Sequence, residues 1–166
     1  MIHKGLAVLF PLFLVSAPLL AQDPSVFRAG AFAADITPRQ FPLNMPGGFS
    51  ANLAEGAHDP LHARALVLDD GKTTLALVVV DNLGVSPALI LEAKQIASEK
   101  TGIPVGKILV SSTHTHSAPS SGGGKEGSPE AAYRRHLIDG IVESIVKAHE
   151  TRRPAAAGAA GHPLPE

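Results

Sequence analysis

The sequence predicts an α/β fold: a mixed sheet with a βαβ unit and a β-hairpin, covered by two main helices. Three observations carry this. A Val-rich apolar run at 74–80 and a shorter one at 107–112 are separated by a single apolar stripe at helical spacing. Asp69-Asp70-Gly71 stands between two strand-like runs. A second, longer helical stripe occupies residues 129–150.

Taken in order, residues 28–36 alternate loosely and stop at Thr37-Pro38, which reads as a strand. Residues 39–60 contain Pro42, Pro46, Gly47, Gly48 and Gly56 and have no period, so they read as a long loop. Loops of that length without structure of their own are uncommon and often functional. Residues 62–68 read as a second strand, and Asp-Gly after it tolerates the positive φ of a tight hairpin. Residues 74–80 are continuously apolar, as in a buried strand, and end on Asp81.

Ser86-Pro87 places an N-cap and a first-turn proline ahead of the stripe Leu89, Ile90, Ala93, Ile96, Ala97. Gly102 and Pro104 end that helix. The strand at 107–112 completes a strand–helix–strand unit with an expected right-handed crossover. Residues 117–128 form a Gly/Ser loop. Ser128-Pro129 then caps a helix to about residue 150, with Tyr133, Leu137, Ile138, Ile141, Val142, Ile145 and Val146 facing inward. Arg152-Arg153-Pro154 closes it, and residues 155–166 read as a weak strand or a frayed tail. Arg134, Arg135, Lys147, Arg152 and Arg153 mark a solvated helix face.

Composition removes several function classes. The formal net charge is -1 and there is no basic block, so nucleic-acid binding is set aside. Aromatics are only 4%, which leaves little for a sugar or base platform. Without cysteine there is no disulfide, thiolate zinc site or thiol nucleophile, so any metal must sit on His, Asp, Glu or Tyr. At the N-terminus, one Lys precedes an uncharged apolar stretch at 5–20, then small Ala21 and polar Gln22-Asp23-Pro24. That is the pattern of a secretory signal over 1–21, with 22–166 as the mature domain in a secreted or periplasmic setting. The alternative is a retained anchor, but the run falls short of the ~20 residues a span requires, and Pro11 and Pro18 interrupt it.

The segment that can carry chemistry is Ser112-Thr113-His114-Thr115-His116-Ser117. Two His at i and i+2 in extended chain point the same way and can reach one metal or one substrate atom. Two structural or solvated His carry about half the weight when the motif stands alone. The pair lies past the carboxyl end of a strand, where open α/β sheets bind ligands. Asp81 ends the other strand of the same unit; it could ligate a metal, orient a ligand His, or simply cap a loop. His58 suits a site role or a backbone-fixing role equally, and His62 is expected to face solvent. Ser111 and Ser112 lack an evident acid and oxyanion site for a triad. Gly122-Gly123-Gly124 lacks the Lys-Ser/Thr pair of a phosphate loop and reads as a linker.

Five motifs in order then resemble the neutral/alkaline ceramidases. They are Asp35-Ile36-Thr37-Pro38, Asn44-Met45 with Gly48-Phe49, Gly56-Ala57-His58, Leu61-His62-Ala63-Arg64-Ala65, and Thr113-His114-Thr115-His116-Ser117-Ala118-Pro119. The resemblance covers the N-terminal portion of that family's catalytic domain. It implies cleavage of the ceramide amide into sphingoid base and fatty acid with one Zn2+. It makes His114 the first zinc ligand and His116 the neighbouring catalytic histidine. Gly48 becomes a glycine of the loop approaching the substrate head group, while Asp81 receives no role. It also implies a ceramide or other N-acyl lipid partner and peripheral membrane contact.

Family enzymes are much longer and take a second zinc His, a Glu and a Tyr from downstream sequence. By that measure 22–166 is truncated relative to the family, and His58, Asp81 or His162 would have to complete a site within it. A catalytic zinc usually has three protein ligands. The sequence therefore supports two expectations: a zinc amidohydrolase, or a non-catalytic exported domain with an incomplete metal site. A membrane-surface module is a third class, but the helix at 128–150 shows no strong basic bias.

Overall fold

The computed structural model describes residues 26–48 and 50–161. The expected signal segment, Phe49 and His162 lie outside them. The main sheet has five strands: β1 (Arg28–Asp35), β4 (His62–Asp69), β5 (Thr74–Val80), β6 (Ile108–Ser112) and β7 (Arg153–Pro154). Their order is β6-β5-β4-β1-β7. Only β5 and β6 run parallel; β1 pairs antiparallel with β4 and β7, and β4 with β5. Helices α1 (Pro87–Thr101) and α2 (Pro129–Glu150) complete the fold. The mixed sheet, βαβ unit, hairpin and two helices are those the sequence predicts.

Local chemistry accounts for the elements. The β4–β5 turn is held by Asp70, whose carboxylate accepts from the amides of Lys72 and Thr73 while Gly71 takes φ 81°. Ser86 caps α1 through its hydroxyl, which accepts from the amide of Leu89 at 3.5 Å, and Gly102 ends the helix in the left-handed region at φ 74°. Ser128 caps α2, accepting from Ala131 at 3.3 Å.

Both helices contribute to one core. Ala63, Ala65 and Val67 of β4, Ala76, Val78 and Val80 of β5, and Ile108 and Val110 of β6 meet Leu137, Ile138, Ile141 and Ile145 of α2 and Leu89, Ala93 and Ala97 of α1. The backbones approach closely. A side chain on Gly140 would run into Ile36, and one on Gly30 would stand 2.9 Å from the amide nitrogen of Arg152. Glycine inside α2 costs about 1 kcal/mol of helix propensity, and close seating on β1 is what offsets it.

Three expectations need correction. The apolar run of β5 is buried on one face only: Leu77 and Val79 are 38% and 43% exposed, and Leu109 of β6 is 60% exposed. The reason is that α1 and α2 join the same core cluster, leaving the alternate side chains of each strand on the open face. The loop at 39–60 contains a small hairpin, β2 (Leu43–Asn44) with β3 (Leu53–Ala54), closed by bonds from Met45 N to Asn52 O and from Asn52 N to Asn44 Oδ1. Two-residue strands are too short for periodicity to register. Arg152 is not a solvated helix-face residue. It is half-buried, pairs with Asp69 and donates from Nη2 to Nε2 of His149 at 2.8 Å. Beyond it, β7 pairs with β1, and the described residues after it form no strand.

Two predictions follow from this packing. Val78→Ala should destabilise by about 2 kcal/mol and Leu77→Ala by less than about 1 kcal/mol, as measured by chemical denaturation. Equal losses would contradict a one-sided core. The second concerns pH. Burial, and secondarily Arg152, lowers the pKa of His149; burial and Arg39 lower that of His136. The unfolded chain therefore binds protons on both groups at higher pH than the native chain does. Their stability contribution is fully present above the ordinary imidazole pKa and is lost as pH falls through the lowered native values. The melting temperature should drop as pH falls below about 6.5. A His136→Gln/His149→Gln variant should show a flatter profile; an unchanged slope would count against these two groups.

Candidate active site

The histidine turn hangs from the carboxyl ends of the two parallel strands. The amide of Thr113 donates to the carbonyl of Val80 at 2.9 Å, joining the exits of β6 and β5. One residue later His114 takes φ 61°, a left-handed conformation uncommon outside glycine. Such a residue costs on the order of 1–3 kcal/mol, and these outliers cluster at functional sites. The chain is therefore not extended at His114, as parity of side chains at i and i+2 had required. The two rings meet nonetheless, with centroids 5.2 Å apart and planes at 73°.

His114 is held by its ring. Nδ1 lies 2.8 Å from the carbonyl oxygen of Leu83. A carbonyl only accepts, so Nδ1 carries the proton and donates, which leaves the lone pair on Nε2. A backbone carbonyl in that role is the usual partner of a metal-binding imidazole. The donor chemistry at His114 thus fits a zinc ligand. Among the described residues, however, no group of three or more His, Cys, Asp or Glu side chains is arranged to hold a metal.

The other expected residues are placed as follows. Asp81 is occupied: its Oδ2 accepts from Nη1 of Arg64 at 2.6 Å and from the amide of His62 at 3.0 Å. His62 is half-buried and joins that cluster, with Nδ1 3.2 Å from Nη2 of Arg64. The orienting bond to His114 comes from Leu83. His58 is almost fully exposed beside Asp59. Gly48 is exposed at the tip of the small hairpin. Ser111 donates its hydroxyl to the carbonyl of Val78 and serves the sheet.

A cavity of about 450 Å³ lies beside the turn. Phe41, Met45, Ala54, Leu61 and Pro119 give it an apolar wall, and His58, Asp59, Thr115 and Ser117 supply the polar groups. Apolar lining with a few convergent polar groups is the usual character of a small-molecule pocket. A smaller cavity of about 250 Å³ along the N-terminal half of α2, near Arg39 and His136, includes no member of the histidine turn.

Asn82 was not anticipated. It is fully buried, its Nδ2 donates to the carbonyl of Pro119 at 3.0 Å and to the hydroxyl of Tyr133 at 3.3 Å, and its Oδ1 accepts from the amide of Gly84. It ties the end of β5 to the far side of the histidine turn and to α2. Burial pushes the Tyr133 phenol up to about 12, so the hydroxyl remains protonated. Ser121 adds a second tie, donating to the carbonyl of Gly84 at 2.7 Å. The available signal was a polar doublet, Asp81-Asn82, closing an apolar strand.

No family model matches the chain. Curated proteins do, two of them as follows. Neutral ceramidase A of Dictyostelium discoideum is 30% identical over 150 residues, covering 80% of this chain and 20% of its own length. Neutral ceramidase 3 of Arabidopsis thaliana is 30% identical over 161 residues, covering 89% of this chain and 21% of its own. Over this region the chain is related to the neutral ceramidases. It spans about a fifth of the length of these curated relatives. The fold agrees. The solved neutral ceramidase from Pseudomonas aeruginosa matches with a TM-score of 0.66 at 24% identity, over 80% of this chain and 23% of that one. A ceramidase complexed with C2 matches at 0.62 and 23% identity, over 78% and 22%. The two solved structures share the fold of this region.

Asn82→Ala should strand buried partners and destabilise the chain by about 2 kcal/mol. It should also speed proteolysis within residues 117–128. A loop no more susceptible than in the parent would show that Asn82 does not anchor it.

Proposed function

We propose that this chain belongs to a zinc-dependent amide hydrolase of the neutral ceramidase type, acting on the N-acyl bond of ceramide or a similar N-acyl lipid. The observation that carries the reading is the left-handed His114 whose Nδ1 is fixed on Leu83, beside His116 and an apolar cavity. The relationship to curated neutral ceramidases supports the substrate class.

In this reading His114 supplies one zinc ligand through Nε2. Zinc, when bound, lowers the pKa of its water towards ~7 and polarises the carbonyl. The remaining ligands come from outside the described residues, since a catalytic zinc takes three. His116 carries a proton or donates to the developing oxyanion. Phe41, Met45, Leu61 and Pro119 shield an alkyl segment from water, while Gly48 approaches the head group. His58 and Asp81 remain near the site as cavity wall and strand-end clamp. Residues 1–21 act as an export signal, and a lipid substrate brings the protein to a membrane surface. Among the described residues no helix is long and apolar enough to cross one.

The second reading is a non-catalytic exported ceramidase-like domain with an incomplete metal site. The lack of a three-donor group among the described residues favours it.

Hydrolysis of a fluorescent short-chain ceramide by the full chain, stripped with chelator and then resupplied with zinc, separates the two. The first reading expects zinc-dependent release of the acyl group, and a loss of at least about a hundredfold in kcat/KM in His114→Ala. Saturable ceramide binding with no zinc-dependent cleavage would establish the second reading instead.

A further inference from the structure

The small hairpin does more than wall the cavity. Its tip is seated on the histidine turn, and the contact runs through Gly47. A Cβ built on Gly47 would stand 2.6 Å from Cα of His116 and 2.7 Å from Cγ, and nearer still to Cβ. Two of these obstacles are Cα and Cβ, which no change of rotamer can move aside. Close packing of this kind leaves no room for even one methyl group. The next residue behaves differently. A Cβ on Gly48 would meet nothing nearer than the carbonyl of Ser50 at 3.9 Å. Gly47 also lies outside the left-handed region, so the demand at 47 is steric and not conformational.

The rest of the hairpin is fastened independently. Leu43 is buried in the main core, and the bonds between Met45 and Asn52 and between Asn52 and Asn44 close the hairpin on itself. Met45 and Ala54 form one side of the cavity, while Thr115 and Ser117 flank His116 on another. The hairpin is thus held at its base by Leu43 and at its tip by His116, with the cavity between.

We propose that Gly47 is a positioning residue for His116: the bare backbone at 47 seats the hairpin on the histidine, fixing the imidazole beside His114 and setting the width of the cavity. The catalytic meaning of that placement rests on the proposed function; the contact itself does not.

The test uses the full chain with isotope-labelled histidine, the His116 signals being assigned from a His116→Gln variant. Gly47→Ala should displace the side-chain NMR signals of His116, while Gly48→Ala leaves them in place and His149 is unmoved in both. The proposal is overturned if Gly47→Ala leaves His116 unmoved, if both variants move it equally, or if His149 moves with it. Should Gly47→Ala fail to fold, His116→Gly probes the same contact from the other side. The amides of Met45 and Asn52 should then exchange faster than in the parent while those of β4 and β5 keep their rates. Unchanged exchange at both would refute the seating. None of these readouts needs turnover, so an absence of ceramide hydrolysis would sink the functional reading and leave this one standing.

Discussion

The close seating of α2 on the sheet is the constraint on which the rest of the molecule depends. The sheet face it covers is built largely from Ala and Val, and Gly30 and Gly140 remove the last side chains that would hold the backbones apart. Small residues on one side and the Leu/Ile stripe of α2 on the other interdigitate as a dense apolar layer. With a larger residue at 140, the Cγ2 methyl of Ile36 would have to move, just past β1, where the amide of Ile36 donates to the carbonyl of Leu61. Arg152, bonded to Asp69 and His149 just past the helix, locks the same seating at its far end.

From that layer the positions at the candidate site follow. Tyr133 near the start of α2 meets Asn82 at the end of β5, and Asn82 meets Pro119 beyond the histidines. The carbonyl of Leu83, one residue on, then faces the His114 ring. A strained backbone at His114 is tolerated because both sides of the turn are pinned, by Thr113 on Val80 and by Pro119 on Asn82. The opposite sheet face does not enter this chain of contacts. Leu66, Leu75, Leu77, Val79 and Leu109 stand partly exposed there, while Arg64, Asp81 and His62 form a polar cluster at its edge.

Much of this was legible in the residues. Ser-Pro caps and 3.6-residue stripes located both helices, and the Asp-Gly turn located the hairpin. The polar residues after two apolar runs located the strand ends where the histidines lie. The rest was not legible, for a reason that differs from element to element. Whether β5 is covered on one face or two depends on where helices from elsewhere in the chain settle, and strand periodicity carries no record of that. The small hairpin was missed because two residues per strand leave no pattern. Asp81 stands at a strand end as His114 does, which suits an orienting partner, but its carboxylate is taken by Arg64, two residues into a neighbouring strand.

By itself the sequence determined the order and type of the main elements, the chemistry available at the strand ends, and the kinship with neutral ceramidases. Those are local matters: caps, turns and periodicity act over a few residues, and short motifs keep their order along the chain. Only the tertiary structure decided which groups meet. It gave the orienting bond of His114 to a backbone carbonyl, buried Asn82 as the joint of the site, and pressed Gly47 against His116. Backbone carbonyls and glycines carry no side-chain signal, and they acquire a role only when packing brings something against them.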